Sequence, residues 1–405
     1  MPTPSLLIVP ARFKTGKLYS QIPTSGAGDF TVTRNTEARR FNSAGLIASV
    51  ASGIPRLDYY TSGGVTGCPA LLVEPAATNA LSYSEEFDNA AWGKSAMTVS
   101  TGTTALFTAP DGTTNADKII ATSGNVAHNI NRSGIASAAY TFSVFAKAGE
   151  ESVISLWLRG ASVRAEFNLV SGTVSNITTT SARIENYGNG WYRCTVYDST
   201  AGTTAHVYGR GGAAYAGNGS DGFYLWGAQL ETGSVATSYI PTTAGTGSRS
   251  ADVISVTGAV SGSIGQTEGT VYMEVAVYSA NKELLSISSG GVNGEAIRIQ
   301  TNSDGKLGAI ALVSNSQVIT TSSINALNFG QFYKVAFAYK LNDYTLYIDG
   351  VVQTLTDVTG GVPVNMNKLA FARPNDSFIQ DQRVRAAALY TTRLTNAELA
   401  TLTTP

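Results

Sequence analysis

Charge is scarce in this chain of 405 residues. Asp, Glu, Lys and Arg together make up 14% of it and the net charge is −1, whereas an average globular protein is about 25% charged. Without an excess of positive charge, the chain has no general attraction to nucleic acid or to an anionic membrane surface. Hydrophobic residues make up 43% of the chain, which is enough apolar surface to offset chain entropy. The composition therefore excludes a disordered chain and disfavours a nucleic-acid partner.

Cysteine and histidine are rarer still, with two residues of each. A disulfide scaffold of this length would need more cysteines, so we expect folding in a reducing compartment. Cys194 alternates with core-type residues and is predicted to be buried and inert, whereas Cys68 follows a glycine-rich stretch and can be exposed. His128 and His206 have no metal-ligand spacing, and the G-x-S-x-G elbow is missing. We therefore predict no catalytic residue and no metal ligand among them.

Long hydrophobic runs are also missing. No segment approaches the roughly 18 apolar residues that a membrane-spanning helix needs. The apolar run at residues 6–9 is short, and no basic residue precedes it, so it does not fit a secretory signal peptide. We expect a protein that is made in the cytoplasm, inserts into no membrane, and reaches the outside without the usual export signal.

Strand signals dominate what is present. Residues 140–147, 271–277 and 335–339 alternate between apolar and other side chains, the period of a β-strand. Asp349 and Gly350 separate two strand-like runs, which predicts a type I′ hairpin turn with positive φ at both residues. The one clear helix signal is a capping box, Thr395 with Glu398, near the end. We predict an all-β fold.

Glycine-rich stretches suggest the domain boundaries. We expect an N-terminal region at 1–70, a β-sandwich at 71–245, a linker with a first strand at 246–267, and a second β-sandwich at 268–405. The first region has few alternating apolar runs, so it cannot bury a sizeable core alone. We therefore expect that a protein lacking residues 1–70 still folds.

Several ordered motifs carry a family resemblance. In the middle of the chain they are LLVEP at 71–75, SEEFD at 84–88, NGWYRC at 189–194, WGAQLE at 226–231 and SYIP at 238–241. Together they resemble a module that is common in phage tail and fibre proteins and looks like a carbohydrate-binding-module jelly roll. The C-terminal part, with LYIDG at 346–350 and LTNAEL at 394–399, resembles laminin-G or concanavalin-A-like sandwiches.

This resemblance implies a structural or adhesive phage protein that is not an enzyme: a tail fibre, a receptor-binding protein or a capsid head fibre. It implies a homotrimer in the virion, contacts with other virion proteins through residues 1–70, and binding to host surface polysaccharide. Two alternatives stay open. One is a tailspike-type polysaccharide depolymerase, and the other is a bacterial carbohydrate-binding protein of prophage origin.

Sugar binding would use aromatic rings that stack on pyranose faces, with polar groups nearby. Trp157 points away from Leu156 and Leu158, so we expect one of those two faces to lie outward or to line a groove. The candidate ligand-binding residues are Trp157, Arg159, Tyr208 and Tyr215. If the middle sandwich binds the glycan, a Trp157→Ala variant should bind it more weakly and have a nearly unchanged melting temperature.

No cofactor is predicted, and the sequence leaves open whether calcium binds. Laminin-G-like domains often bind calcium through loop carboxylates. The acidic residues that could supply them are Asp343, Asp349, Asp376 and Asp381.

Overall fold

The fold is all-β, as predicted, and its named strands pair antiparallel in two jelly-roll sandwiches. The computed structural model describes residues 2–60, 66–100, 107–159, 163–291, 294–354 and 360–405. The first eight strands are β1 (Leu6–Ile8), β2 (Phe13–Lys14), β3 (Lys17–Leu18), β4 (Phe30–Thr33), β5 (Ala38–Phe41), β6 (Ile47–Val50), β7 (Arg56–Tyr60) and β8 (Thr66–Val73).

The next sixteen strands belong to the middle of the chain. They are β9 (Ala77–Asn79), β10 (Gly93–Ser95), β11 (Met97–Ser100), β12 (Asp117–Ala121), β13 (Gly124–Val126), β14 (Asn129–Arg132), β15 (Tyr140–Ala148), β16 (Val153–Leu158), β17 (Arg164–Asn168), β18 (Thr173–Ser175), β19 (Ser181–Asn186), β20 (Trp191–Tyr197), β21 (Ala205–Gly209), β22 (Tyr215–Gly217), β23 (Gly222–Thr232) and β24 (Gly247–Arg249). A 3-10 turn, Arg210–Gly212, follows β21.

The last eleven strands complete the chain. They are β25 (Val253–Thr257), β26 (Glu268–Val277), β27 (Lys282–Ser288), β28 (Ala296–Thr301), β29 (Leu307–Val313), β30 (Ser316–Ser322), β31 (Phe332–Lys340), β32 (Asp343–Ile348), β33 (Val351–Val352), β34 (Lys368–Ala370) and β35 (Gln382–Tyr390). A 3-10 turn, Ala259–Ser263, lies between β25 and β26, and one α-helix, α1 (Asn396–Thr403), ends the fold. In the described ranges, no helix has the length and apolar character needed to cross a bilayer.

The larger sandwich contains both ends of the chain. One sheet has the order β33-β32-β31-β26-β35-β8-β7, with β1 also paired to β35. The other has the order β2-β3-β4-β25-β34-β27-β28-β29-β30. Leu6 pairs with Leu389, and the rings of Phe30 and Phe371 stack at 5.3 Å. Residues from the first seventy positions therefore belong to the same core as the C-terminal strands.

This pairing corrects the predicted domain boundaries. Residues 1–70 are not a separate region, because β1, β4 and β7 occupy positions in the two sheets of the larger sandwich. Residues 268–405 consequently do not form a complete sandwich by themselves. The range 246–267, predicted as a linker with a first strand, does contain a strand, β25, which lies between β4 and β34. Its beginning is not a linker, since β24 pairs with β9. The sequence prediction failed here because strand partners are set by distant residues.

The smaller sandwich is an insertion in the larger one. The chain leaves the larger sandwich after β8 and returns to it at β25. Between them lie two six-stranded sheets with the orders β10-β14-β21-β16-β17-β18 and β11-β12-β23-β15-β20-β19. Their facing side chains form a separate buried core that includes Phe142, Leu156, Cys194 and Leu225. Cys194 is thus buried, as predicted, and Cys68 is exposed.

A buried network of charges lies where the chain passes between the sandwiches. The guanidinium of Arg56 contacts the carboxylates of Glu74 and Asp252, and Arg34 donates to Asp252 at 2.9 Å. Arg249 lies 2.9 Å from Glu74. Burial alone would raise the pKa of Glu74, but Arg249 and Arg56 hold it well below its usual range. Both crossing segments are therefore fixed by the same buried charges.

The hairpin of β5 and β6 joins the two sandwiches in a second way. Phe41 and Ile47 pack on a buried cluster that includes Phe145, Trp191 and Trp226 from the smaller sandwich. These three side chains lie outside that sandwich's own core, on the opposite face of its sheet. Trp191, which belongs to the NGWYRC motif, thus anchors the N-terminal hairpin to the inserted sandwich.

The local turn and cap predictions are confirmed. β32 and β33 form the expected hairpin, with φ of 48° at Asp349 and 80° at Gly350. Thr395 and Glu398 form the capping box of α1. Leu399 of that helix is buried beside Tyr272 and Tyr390, on the outer face of the eight-stranded sheet.

Candidate functional site

The structure brings two of the four predicted ligand-binding residues together. Trp157 of β16 and Tyr208 of β21 lie on the outer face of one sheet of the smaller sandwich, and their rings stack with centroids 4.0 Å apart. His206 continues this row, with its ring 5.7 Å from that of Tyr208. Trp157 therefore points away from the core residues Leu156 and Leu158, as the alternation predicts.

Trp157 is nevertheless not available for stacking on a sugar. It is 7% exposed, and its indole N–H donates to Ser155 Oγ at 2.7 Å. A Cβ atom on Gly212 would lie 2.3 Å from its ring, so the turn after β21 covers the ring edge. Arg164 places its Cζ 5.2 Å from the ring centroid. The expectation of an accessible Trp157 is corrected, because a neighbouring turn closes over it.

Arg159 and Tyr215 contact other residues than the Trp157–Tyr208 stack. Arg159 has a positive φ of 53° and donates from Nε to Asp198 at 2.6 Å. Tyr215 is 8% exposed, its ring lies 4.4 Å from that of His128, and Arg210 lies over it at 4.4 Å. Both side chains therefore have structural partners, and the four residues do not line one common cavity.

The four acidic residues considered for calcium also have separate surroundings. Asp343 accepts from Arg393, Asp349 accepts from the amide of Lys334, and Asp376 pairs with Lys368. Burial and the nearby Glu74 carboxylate raise the pKa of Asp381 to about 7. Within the part of the chain that the structure describes, no three His, Cys, Asp or Glu side chains are grouped to hold a metal ion.

A groove between the two sandwiches has the composition of a ligand site. Its volume is about 770 Å³, within the range of roughly 300–1,000 Å³ that small-molecule sites usually have. Both sandwiches contribute to it. Its aromatic lining residues are Tyr60, Tyr192, Tyr278, Phe329 and Phe332, and its polar lining residues include Ser171, Arg183, Glu185, Asn186, Asn328 and Gln331.

The wall from the larger sandwich presents an exposed aromatic ring. Phe329 lies in the turn between β30 and β31 and is 43% exposed. The amide of Gly330 in the same turn donates to the carbonyl of Val277 at 2.8 Å, which ties the turn to the end of β26. Gln331 follows on the surface. A ring and an amide side chain are thus held next to each other at the groove.

Two of the rings that line the groove, Tyr60 and Tyr278, are held by stacked cations. The guanidinium carbon of Arg383 lies 5.4 Å from the ring of Tyr60 and 4.6 Å from that of Tyr278. Arg183, from the inserted sandwich, lies 5.4 Å from the same Tyr278 ring. Burial raises the pKa of Tyr278 to about 12, so its hydroxyl stays protonated at neutral pH. This series of contacts links the N-terminal segment, the larger sandwich and the inserted one.

The groove has few side chains that could act as a general acid or base. Among the described residues that line it, Glu185 is the only one with a carboxylate, and it is paired with Arg183 at 3.0 Å. Glycoside hydrolysis by the usual mechanism needs two carboxyl groups on either side of the scissile bond. The groove is therefore equipped to bind a polar ligand with ring contacts, and it lacks that pair.

Sequence reasoning missed this groove because its residues are far apart along the chain. Tyr192 lies beside the Trp191 of a recognised motif, and Tyr278 directly follows the alternating run of β26. Nothing in either local pattern shows that the two face each other across a gap. The sequence does contain a Phe-Gly pair at 329–330, but only the structure shows that its ring is exposed.

No protein-family model and no curated protein sequence matches this chain. Among solved structures, the CBM40 domain of the Ruminococcus gnavus IT-sialidase, bound to α2,3-sialyllactose, is 16% identical, with a TM-score of 0.30 over 34% of this chain and 84% of that one. A heptameric SAP-like pentraxin from Limulus polyphemus is 16% identical, with a TM-score of 0.27 over 34% and 69%. The receptor binding domain of botulinum neurotoxin D is 12% identical, with a TM-score of 0.29 over 37% and 40%.

Proposed function

We propose that this protein is a non-catalytic glycan-binding protein and that the groove between its sandwiches holds the glycan. The observation that carries the proposal is the lining of the groove, where accessible rings from both walls, Tyr192 on one and Phe329 and Phe332 on the other, lie among amide and hydroxyl side chains. Rings supply apolar contact to the faces of a pyranose, and amides bond its hydroxyls. An open groove also lets a polymer pass through without an end having to enter.

A depolymerase is the less favoured alternative. Its chemistry requires a second carboxyl group near Glu185, and no other carboxylate lines the described groove. The Arg183 pairing further keeps Glu185 in a fixed ion pair. We therefore assign the groove to binding, and incubation with capsular polysaccharide should leave the polymer length unchanged.

We further propose that the protein is a part of a phage particle, such as a fibre or a receptor-binding protein. The support is the ordered set of motifs between residues 71 and 241 described above. In this proposal the protein is a homotrimer that contacts other virion proteins through its N-terminal segment. Repeated copies of a weak glycan site would add avidity. Light scattering of the purified protein tests the trimer, and a monomer at micromolar concentration would contradict it.

The glycan proposal is tested on an array of bacterial surface polysaccharides. The full chain is applied first, and the polysaccharide that binds best is then titrated against variants. Phe329→Ala and Gln331→Ala should each weaken binding by about tenfold, since a stacked ring or a bonded amide contributes about 1–2 kcal/mol. Both positions are exposed, so the melting temperature should change little. Leu341→Ala, at a 63% exposed position outside the groove, is the matched control.

Two results would contradict the assignment. One is a full-length protein that retains no polysaccharide on the array. The other is a bound polysaccharide whose affinity is the same in the Phe329→Ala, Gln331→Ala and Leu341→Ala variants, because the glycan would then contact another surface.

A further inference from the structure

The turn between β34 and β35 holds a bulky side chain in an unfavourable backbone conformation. Phe378 has a φ of 50°, and Asp376, two residues earlier, has a φ of 61°. The left-handed region costs an ordinary L-residue about 1–2 kcal/mol, and for a bulky residue it is a true outlier. The Phe378 side chain is 50% exposed, so half of its surface gains nothing from burial. Strain of this kind is concentrated at functional sites.

The Phe378 ring is held in place by a fixed cation. The Cζ atom of Arg373 lies 3.9 Å from the ring centroid. Arg373 itself donates from Nε to Glu283 at 2.8 Å, and Glu283 is buried. The amide of Arg373 also stabilises the turn, since it donates to the carbonyl of Ser377 at 3.0 Å. An exposed ring with this support is already positioned for a ligand.

A pocket of about 380 Å³ lies beside the ring. Its apolar wall consists of Pro75, Ala76, Ala251 and Ile379, and the polar side chains of Lys282, Asp376 and Ser377 also line it. None of these residues lines the groove between the sandwiches. The pocket thus combines an aromatic ring, an apolar wall, the ammonium group of Lys282 and the carboxylate of Asp376, whose charge is balanced by Lys368.

The charges around this pocket leave one cation unpaired. Asp376 pairs with Lys368 at 2.7 Å, and Arg373 pairs with Glu283 at 2.8 Å. Lys282 Nζ lies 5.3 Å from the Phe378 ring centroid, and in the described ranges Lys282 forms no ion pair with a carboxylate. A ligand with a negative group can therefore pair with Lys282 without displacing a protein carboxylate.

We propose that the Phe378 pocket is a second ligand site and that it binds an acidic sugar. The pyranose ring would stack on the exposed part of Phe378, and its carboxylate would pair with Lys282. Stacking uses the aromatic surface of Phe378, and the ion pair uses the charge of Lys282, which has no carboxylate partner in the described ranges. This site is separate from the groove and does not depend on the function proposed for it.

The test compares D-glucuronate with D-glucose in NMR titrations of the full chain, since these probes differ by one carboxylate. Wild-type protein should bind glucuronate more tightly, and Lys282→Gln should remove most of that preference, about fivefold for one exposed ion pair. Phe378→Asn should weaken the binding of both sugars. Asn tolerates positive φ better than Phe does, so this variant should be at least as thermally stable as the wild type.

Matched controls separate this site from the groove. Lys340→Gln and Leu341→Asn change an exposed cation and an exposed apolar residue elsewhere on the larger sandwich and should leave both titrations unchanged. Equal binding of glucuronate and glucose by the wild type, or no binding of glucuronate, overturns the proposal. It is also overturned if Phe378→Asn binds normally, or if glucuronate binding is lost in Phe329→Ala and kept in Lys282→Gln, which would place the acidic sugar in the groove.

Discussion

Glu74 and Asp252 are hydrogen-bonded to each other although 178 positions separate them in the sequence. The amide of Asp252 donates to the carbonyl of Glu74 at 3.0 Å, and the amide of Glu74 donates to Oδ2 of Asp252 at 3.0 Å. One residue is where the chain leaves the larger sandwich, and the other is where it returns. The pair therefore closes the inserted sandwich at its base.

Asp252→Asn should be strongly destabilising. It removes the charge that faces the buried guanidinium groups of Arg34 and Arg56. Breaking a buried pair of this kind costs about 3–5 kcal/mol, because the remaining charge stays desolvated. Urea denaturation measures the change in the free energy of unfolding. Asp304→Asn, which removes an exposed partner of Lys306, should cost less than about 1 kcal/mol, and equal losses in the two variants would contradict the prediction.

Deletion of residues 2–60 should abolish cooperative folding of the larger sandwich. The deletion removes β1, which pairs with β35, and β4, which pairs with β25, and it exposes the core surface that Phe30 and Leu6 cover. This reverses the expectation from the sequence that the remainder folds alone. Calorimetry of the truncated protein checks it. Deletion of residues 2–4 only, which lie outside the strands, is the control, and a normal unfolding transition in the longer deletion would show the prediction to be wrong.

Trp157→Ala should reduce stability and leave glycan binding in the groove intact. The indole is buried against Tyr208 and the turn at Gly212, and removal of a large buried aromatic side chain costs about 3–5 kcal/mol. Val170→Ala, at a 71% exposed position of the same sandwich, should change the free energy of unfolding by less than about 0.5 kcal/mol. Denaturation and the polysaccharide titration are measured on both variants. A stable Trp157→Ala protein that has lost binding would restore the role first expected for Trp157.

Ionisation of Asp117 should make the protein less stable as the pH rises. Burial, helped by the nearby Asp88 and Glu86, raises its pKa from 3.8 to about 7. The folded state then binds a proton more tightly than the unfolded state does, so this contribution is complete below about pH 4 and is lost as the pH rises through about 7. Its upper limit is roughly 4 kcal/mol.

The Asp117→Asn variant tests this dependence, because an amide oxygen can still accept the 2.8 Å hydrogen bond from the amide of Phe87 and cannot ionise. The free energy of unfolding of the variant, minus that of the wild type, should increase between pH 5 and pH 8. Parallel curves for the two proteins over that interval would mean that Asp117 does not titrate there.

The sequence by itself determined the local elements of this protein. Alternating side chains predicted β15, β26 and β31, and the Asp349-Gly350 pair predicted its hairpin because positive φ at two adjacent positions is a local requirement. The cap at Thr395 is likewise decided within four residues. The alternation around Trp157 correctly showed which face of its strand carries the indole.

Tertiary structure decided everything that depends on which strands are neighbours. A period of two residues shows that a strand has two faces, but it does not show which strand pairs with it or what covers the second face. Pairing of Leu6 with Leu389 placed the N-terminal segment in the larger sandwich, and the turn at Gly212 enclosed Trp157. The groove exists only because two separately buried cores are held side by side, with Arg183 from one stacked on Tyr278 from the other.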